Sequence, residues 1–475
     1  MQPGQSSAKK RINLPGRKYL NGIFLLLLLA DVGYSFLQHY RMPLDGDMSA
    51  IICPSDGYGM VLSDPFGWGV ISRGETYAAP NRFFAHGFMQ TWFRNVPLCL
   101  QGFLSPIDSV YAACALAKTG FQVLLIYLLA LYISGSGKIW KNEFILAAVL
   151  ITPLFQAAGY NQVMGMIDKS ITLNFFYALP MGLLLVYLLP FYRASYLGEK
   201  QKPGWILLVL LSMLAVVLAF NGPLIPGVVL IIALLVMLPP RRDQLGNSLL
   251  FSLRFFGFLC IYSIYIGRFN IENLTHEIPM LERYLRLPEG LFHQFTRKPG
   301  TWLLLLVIAL NILLIRWKNA GPEGQKIIRA LKWIGIFSLI FILLLPLGGY
   351  REYRPNIIRR DTLMPVFLGL FYIYGISSLF LIRHLQGLSK KIYLAGLAAF
   401  LALFTISDNF RFNNNDCERK ALEEVARSPD PVVPLNADCN VMSWVRPTYP
   451  AATEWNACML EYWGVTSEKK LYFTR

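Results

Sequence analysis

The stretch Gly22-Ile23-Phe24-Leu25-Leu26-Leu27-Leu28-Leu29-Ala30 decides the fold class, because a run this apolar is not stable on a water-exposed surface. It lies within a predicted first span at 21–38, and a membrane span needs about 20 predominantly apolar residues. The chain has 475 residues, of which 55% are hydrophobic and only 15% charged, and its mean hydropathy is +0.44. These values exclude a water-soluble globular protein and predict an all-α polytopic membrane protein.

Similar apolar stretches recur along the chain and predict about eleven transmembrane helices. The predicted spans are 21–38, 109–133, 144–160, 175–192, 205–220, 223–240, 247–267, 301–315, 333–349, 365–382 and 392–407. The break at Asn221-Gly222-Pro223 leaves an alternative open, since one bent helix or a re-entrant hairpin there would change the count.

The basic residues before the first span predict the topology. Residues 1–20 contain Lys9, Lys10, Arg11, Arg17 and Lys18, so we expect a cytoplasmic N-terminus. Eleven spans over 21–407 then place the tail, residues 408–475, outside. The tail is too small to be an independent catalytic domain, and we expect it to cap the outer face of the bundle. The expected location is a bacterial inner (cytoplasmic) membrane, with a functional site that faces outward.

Two carboxylates follow the first span, in Leu44-Asp45-Gly46-Asp47. Carboxylates at a membrane boundary must be solvated, paired or bound to a ligand, and a carboxylate can act as a general base. The alternative is structural, because either aspartate could N-cap a short helix over 48–52. Asp45 and Asp47 are therefore candidate catalytic residues, and their ranking stays open.

The same pair is the candidate metal site. In an extended segment the two side chains share a face and could chelate Mg²⁺ or Mn²⁺, whereas in a helix they diverge by about 200°. The neighbouring Pro43 and Gly46 favour the extended form. The sequence indicates no other cofactor.

A second unusual loop, at about 350–364, follows the ninth predicted span and contains four arginines and no lysine. The planar guanidinium suits bidentate phosphate binding better than a lysine ammonium does. The alternative is that these arginines face lipid headgroups or pair with nearby acids. We expect a donor-phosphate site here, and the candidates are Arg351, Arg354, Arg359 and Arg360, with Tyr350 and Tyr353 as secondary candidates.

The first outer loop, at about 39–108, is long and apolar, and its segment 83–94 is typical of an interfacial amphipathic helix. His86 in this helix is a secondary candidate, although a histidine among aromatic residues is more often packed than catalytic. Lys118 is another, because a charge inside the second span requires a partner, for which Asp31 is available. The other polar candidates of the loop are Asp56, Asp64, Glu75 and Asp108.

Three of the seven cysteines, Cys417, Cys439 and Cys458, lie in the tail. In an oxidising compartment two of them would pair, with the third free or joined to Cys53 or Cys99, and the alternative is that all remain reduced. The basic residues are spread over loops on both sides of the membrane rather than on one face, so nucleic acid is not an expected partner. Zincin, P-loop and zinc-ribbon motifs are absent from the sequence.

The chain resembles the GT-C integral-membrane glycosyltransferases, which use polyprenyl-phosphate-linked sugar donors. The resemblance rests on the predicted cytoplasmic N-terminus, the span count, Asp45 and Asp47 after the first span, the long first outer loop and the arginine-rich later loop. It implies that Asp45 or Asp47 is the general base toward an acceptor hydroxyl, with inversion at the anomeric carbon, and that outer-loop arginines hold the donor phosphate. Many relatives carry a large soluble C-terminal domain, which this chain lacks, so the glycan, lipid or protein acceptor is unknown.

Two other functions remain open. A lipid-linked oligosaccharide polymerase or ligase would share the span count, but its site would lie in long later outer loops. A transporter or flippase needs no base and would show charged or broken spans near the midplane, for which Lys118, Arg254 and the break at 221–223 are the only indications.

Overall fold

The computed structural model describes residues 16–54, 56–155, 166–199, 203–238, 245–273, 277–296, 299–318, 321–348, 356–408 and 412–475. Nearly all of the regular structure is helical. The helices are α1 (Gly16–Tyr40), α2 (Met48–Ile52), α3 (Asp56–Ser63), α4 (Trp68–Arg73), α5 (Phe83–Leu100), α6 (Pro106–Ser134), α7 (Asn142–Ile151), α8 (Ile171–Leu173), α9 (Leu179–Tyr192), α10 (Trp205–Ala219), α11 (Leu224–Met237), α12 (Asn247–Gly267), α13 (Met280–Thr296), α14 (Gly300–Trp317), α15 (Gly321–Leu344), α16 (Met364–His384), α17 (Gly387–Ile406), α18 (Asp416–Arg427) and α19 (Glu454–Tyr462).

Eight helical segments of the described chain are long and apolar enough to cross a membrane. They are Tyr19–Tyr40, Pro106–Ser134, Ile171–Leu197, Asn247–Gly267, Gly300–Trp317, Gly321–Leu347, Met364–His384 and Gly387–Ile406. The prediction of a multi-span helical membrane protein is therefore confirmed. The count of eleven is not established, because the other three predicted spans correspond to the shorter apolar helices Asn142–Phe155, Trp205–Ala219 and Leu224–Met237. At about 1.5 Å per residue, helices of this length are shorter than a hydrocarbon core of about 30 Å.

The chain turns sharply between α10 and α11, at the break noted in the sequence. Gly222 has φ +109°, a conformation that only glycine adopts without strain. Its N–H donates to the carbonyl of Asn81 (2.8 Å), and the N–H of Phe84 donates to the carbonyl of Phe220 (3.2 Å). The break is thus attached to the start of α5, and α10 and α11 are two separate helices.

The first outer loop is mostly helical, since it contains α2 to α5. Helix α5 extends to Leu100, further than the predicted 83–94, and it buries Ala85, Met89 and Phe93 at helical spacing. The Trp92 indole N–H donates to the carbonyl of Ala113 in α6 (3.1 Å). One face of α5 therefore packs on protein, not only on the membrane surface.

The tail is a small unit with both helix and sheet. After α18, strand β1 (Val432–Leu435) pairs in parallel with β2 (Leu471–Thr474), and α19 lies in the crossover between them. A parallel pair needs such a crossover connection. This two-stranded sheet is the departure from an all-α fold within the described residues.

The tail is bound to the first outer loop by a second hydrophobic core and by covalent links. This core joins Met48 and Phe93 of the loop, Tyr111 of α6 and Trp463 of the tail. Disulfides connect Cys53 to Cys458 and Cys417 to Cys439. Of the alternatives open from the sequence, the structure has one pair within the tail and the third tail cysteine joined to Cys53. Disulfides persist in oxidising compartments, which supports an external position for both segments.

The disulfide pattern gives a first prediction. Alkylation of the denatured, unreduced protein should modify three thiols, those of Cys99, Cys114 and Cys260, and reduction should raise the number to seven. Intact mass spectrometry counts the adducts, and peptide mapping before reduction should find Cys53 linked to Cys458. Seven reactive thiols without reductant would contradict the pairing and the oxidising environment.

Candidate functional site

The carboxylate of Asp45 is buried, and both of its oxygens accept hydrogen bonds. Oδ2 accepts from the Ser170 hydroxyl (2.8 Å) and the Thr172 N–H (2.9 Å). Oδ1 accepts from the Thr172 hydroxyl (2.9 Å) and the Asp47 N–H (3.0 Å). A carboxylate buried to this degree needs such donors to replace water. Asp45 therefore joins the first outer loop to the segment that begins α8.

Asp47 has a different environment, because it is only partly buried. Its Oδ1 accepts a hydrogen bond from the Trp444 indole N–H of the tail (2.8 Å). Asp47 occupies the N-cap position of α2, but its side chain makes no capping hydrogen bond. The intervening Gly46 lies against the tail backbone, where an added Cβ would come within 2.6 Å of the Trp444 nitrogen. The two aspartates thus have separate structural roles, and the capping alternative does not explain either side chain.

Arg360 of the arginine-rich loop forms a bidentate ion pair with Asp168. Its Nε lies 2.7 Å from Asp168 Oδ2, and its Nη2 donates to Oδ1 (3.1 Å). Burial raises the pKa of the Asp168 carboxyl, and the adjacent Arg360 charge opposes that shift. Asp168 was missed in the sequence analysis, since it precedes a predicted span with no motif around it.

Ser170 connects the two carboxylates. Its hydroxyl donates to Asp45, its N–H donates to Asp168 Oδ1 (2.9 Å), and its hydroxyl also accepts from the Leu173 N–H as the N-cap of α8. Asn174 braces the turn, because its side-chain amide donates to the carbonyls of Asp168 and Ser170. The first outer loop and the arginine-rich loop therefore meet at Asp168–Thr172, and Asp45 and Arg360 belong to one hydrogen-bonded network.

The other residues of the arginine-rich loop divide into two groups. Arg359 lies 2.8 Å from Asp361, so it also pairs with a nearby acid, as one of the alternatives from the sequence allowed. The remaining candidates Tyr350, Arg351, Tyr353 and Arg354 lie outside the described residues. Of the four arginines predicted to bind phosphate, the structure describes Arg359 and Arg360.

His86 is a packed residue in this structure. It is buried, and its ring stacks on the Phe176 ring with 5.2 Å between centroids. The Arg82 guanidinium also lies over the Phe176 ring. Burial, with the Arg82 charge, lowers the pKa of His86 to about 3. A buried histidine whose pKa is lowered in this way is a weak base, which suits it poorly to proton transfer near neutral pH.

Lys118 lies fully buried in α6 beside the candidate site. Its ammonium donates to the carbonyl of Lys169 and lies 3.7 Å from Met42 Sδ. The sequence suggested Asp31 as its partner, whereas these contacts attach it to the backbone between Asp168 and Ser170. Lys118 therefore supports the same turn that binds Asp45.

The other carboxylates of the first outer loop support local structure. Asp64 accepts from the N–H groups of Trp68 and Gly69 and from the Tyr77 hydroxyl. Asp108 accepts from the Tyr40 hydroxyl (2.8 Å) and pairs with Arg419 of the tail. Glu75 pairs with Arg73, at 2.6 Å, and the side chain of Asp56 is not described.

The arrangement does not fit the metal site considered for Asp45 and Asp47. Both oxygens of Asp45 face hydrogen-bond donors, which a cation would have to displace. In the part of the chain that the structure describes, three or more His, Cys, Asp or Glu side chains do not come together in a way that could hold a metal ion. We therefore assign no step to Mg²⁺ or Mn²⁺.

Glu418 of the tail fixes the loop that carries the two aspartates. Its Oε2 accepts from the Leu44 N–H (2.9 Å) and the Tyr111 hydroxyl (2.6 Å), and its Oε1 accepts from the Met442 N–H (2.8 Å). Burial raises the pKa of Glu418 to about 7, although the three donors act in the opposite direction. The sequence did not indicate this role for Glu418, which is one acidic residue among several in an amphipathic helix of the tail.

No protein-family model matches the chain, and no curated protein matches it.

Glu418 gives a pH prediction. Its pKa is about 4.5 in the unfolded chain and about 7 when folded, so the folded state holds the proton over this range. Stability should therefore fall as the pH rises from about 4.5 to 7, by up to about 3 kcal/mol for this one group. Glu418→Gln should remove this component from a thermal-unfolding pH series. The exposed, matched Glu423→Gln variant of the same helix should keep it, and identical profiles for wild type and Glu418→Gln would contradict the assignment.

Proposed function

We propose that the protein is a membrane glycosyltransferase that moves a sugar from a polyprenyl-phosphate donor to an acceptor on the outer side of the membrane. The observation that carries this proposal is the connection of Asp45 and Arg360 through the turn at Asp168–Thr172. A candidate base loop and a candidate phosphate loop, distant in sequence, lie at one place beside the ends of apolar helices. This reaction needs both groups together.

Asp47 is the better candidate for the base. A base must accept a proton from a bound hydroxyl, so its carboxylate must be reachable by a ligand. Both oxygens of Asp45 are buried and hydrogen-bonded, while Asp47 is partly exposed two residues away. Asp45 then acts as a positioning residue, since one of its hydrogen bonds comes from the Asp47 N–H.

In the proposed step, Asp47 accepts the proton of the acceptor hydroxyl while the acceptor oxygen forms a bond to the anomeric carbon. The bond from that carbon to the phosphate oxygen breaks, and polyprenyl phosphate leaves with the bonding electrons. Attack from the side opposite the leaving group inverts the anomeric carbon.

Arginines stabilise the charge on the departing phosphate in this proposal. Arg360 uses Nε and Nη2 toward Asp168, and a guanidinium carries five N–H donors, so it can bind a phosphate beside that carboxylate. Arg359, Arg351 and Arg354 are the further candidates. The buried Asp168 holds the Arg360 fork in a fixed orientation, which reduces the entropy lost on binding.

A transporter is the second candidate, and one observation favours it. Asn221 at the break between α10 and α11 is buried, and neither of its side-chain polar atoms has a hydrogen-bond partner among the described residues. Broken apolar helices with buried polar groups occur at transporter sites. Sugar transfer by the purified protein in detergent, where there are no two compartments, would favour the enzyme, and uptake by sealed vesicles without transfer would favour the transporter.

For the base, Asp47→Asn should lower transfer by about two to four orders of magnitude while leaving the melting temperature nearly unchanged, because the amide keeps the shape but loses basicity. Asp45→Asn should instead lower the melting temperature as well, since its amide would face hydrogen-bond donors on both sides. Transfer from a labelled polyprenyl-phosphate sugar and thermal unfolding are measured on the same samples. Together they separate loss of the base at Asp47 from loss of the structural support at Asp45. Near-normal transfer by Asp47→Asn would exclude it as the base.

For the phosphate, Arg360→Lys should weaken donor use by roughly tenfold to a hundredfold, because a charge-assisted hydrogen bond contributes about 1.5–3 kcal/mol and lysine cannot form the fork. The matched control is Arg427→Lys, which alters an exposed arginine–glutamate pair in the tail. Donor binding and thermal stability are measured on both variants. Unchanged donor binding in Arg360→Lys would remove Arg360 from the phosphate site.

A further inference from the structure

Helix α13 (Met280–Thr296) lies between two candidate spans, α12, which ends at Gly267, and α14, which begins at Gly300. It has three different sides. Leu281, Leu285, Pro288 and Phe292 form an exposed stripe at i, i+4, i+7 and i+11, within about 60° of one another at about 100° per residue. The exposed fractions of Leu281, Leu285 and Phe292 are 72%, 67% and 64%.

The second side of α13 is polar. Glu282 pairs with Arg286, and Glu289 Oε1 lies 3.4 Å from His293 Nε2, both at i,i+4 spacing. These residues lie about 70° to 130° around the helix from the centre of the apolar stripe, at about 100° per residue. The boundary between apolar and charged surface therefore runs along the length of α13.

The third side packs on the protein. Arg283, Leu287 and Gly290 are buried, and a Cβ added at Gly290 would lie 3.0 Å from the Ile358 Cβ of the arginine-rich loop. The Tyr284 hydroxyl donates to the carbonyl of Leu343 at the end of α15 (3.0 Å). Helix α13 thus touches the loop that carries Arg360.

The segments on either side of α13 contact the first outer loop and a candidate span. Between α12 and α13, Asn270 forms an isolated β-bridge with Tyr77, and Glu272 accepts a hydrogen bond from the Tyr58 hydroxyl (2.8 Å). At the end of α13, Phe295 contacts Trp302 of α14, with ring centroids 5.5 Å apart. Trp302 and Leu306 of this adjacent candidate span are exposed apolar side chains, as the stripe residues are.

From these observations we infer that α13 is an interfacial helix that inserts its Leu281–Leu285–Phe292 stripe into the lipid leaflet on the side of the first outer loop. An apolar stripe in lipid, a charged side in water and a buried side on protein is the arrangement of a monotopic helix. The partner is the bilayer itself, because the stripe belongs to the segment that connects two candidate spans, α12 and α14. Through Gly290 and Ile358, this helix links the lipid leaflet to the arginine-rich loop.

Site-directed spin labelling of the full chain in phosphatidylcholine–phosphatidylglycerol vesicles tests this inference. Single cysteines replace Leu285 and Phe292 on the stripe and, as matched controls on the same helix, Glu282 and Glu289 on the charged side. All variants also carry Cys99→Ser and keep both disulfides. The signal of the Cys99→Ser protein without an introduced cysteine is subtracted. Collisions with molecular oxygen report lipid contact, and collisions with a water-soluble nickel chelate report water contact.

We expect frequent oxygen collisions and few nickel collisions at positions 285 and 292, with the reverse at 282 and 289. Nickel access at 285 and 292 equal to that at the two control positions would place the stripe in water and overturn the inference. Shielding of 285 and 292 from both reagents would also overturn it, because it would show a protein partner, such as a second copy, on the stripe. Two stripe positions keep the test decisive if one variant does not fold.

Discussion

The hydrogen bonds that the Asp45 carboxylate accepts from Ser170 and Thr172 are the interaction on which the rest of the candidate site depends. They join a loop after the first helix to a turn more than a hundred residues later, and the same turn binds Arg360 through Asp168. A buried carboxylate without these donors would cost free energy of folding, and the donors without it would be unsatisfied. Donors and acceptors therefore support one another here, and the N–H of Asp47 is one of the donors.

The tail holds this network from the other side. Glu418 accepts a hydrogen bond from the N–H of Leu44, directly before Asp45, and Trp444 donates one to Asp47, two residues after Asp45. The Cys53–Cys458 disulfide joins α19 to the end of α2. A segment of four residues, Leu44 to Asp47, is thus fixed by two distant parts of the chain. The tail is small, but it orders the loop that carries both candidate carboxylates, which is a different role from a separate catalytic domain.

The sequence predicted the features that depend on composition and local pattern. Eight of the predicted spans coincide with long apolar helices, and the break at Asn221–Pro223 separates α10 from α11, because hydropathy and glycine or proline are local signals. The three shorter helices show the limit of this approach, since hydropathy does not fix helix length. Asp45 and Arg360 were singled out by unusual charge at a membrane boundary, whereas Asp168, Ser170, Thr172 and Glu418 were not. Their roles arise from contacts between residues far apart in sequence, and serine or threonine at a helix start is too common to be noticed.

A cysteine pair at positions 45 and 172 measures directly whether the first outer loop meets the turn at Asp168–Thr172. In a Cys99→Ser background, Asp45→Cys with Thr172→Cys should form a disulfide under mild oxidation in native membranes, because Asp45 Oδ1 and the Thr172 hydroxyl are 2.9 Å apart. The Leu44–Glu418 hydrogen bond and the Cys53–Cys458 disulfide keep the loop in place when the Asp45 carboxylate is absent. Peptide mapping should find residues 45 and 172 linked, and Asp47→Cys with Thr172→Cys should link poorly, since Asp47 faces Trp444. If both introduced thiols at 45 and 172 remain open to alkylation after oxidation, the two loops do not form one site and the account is contradicted.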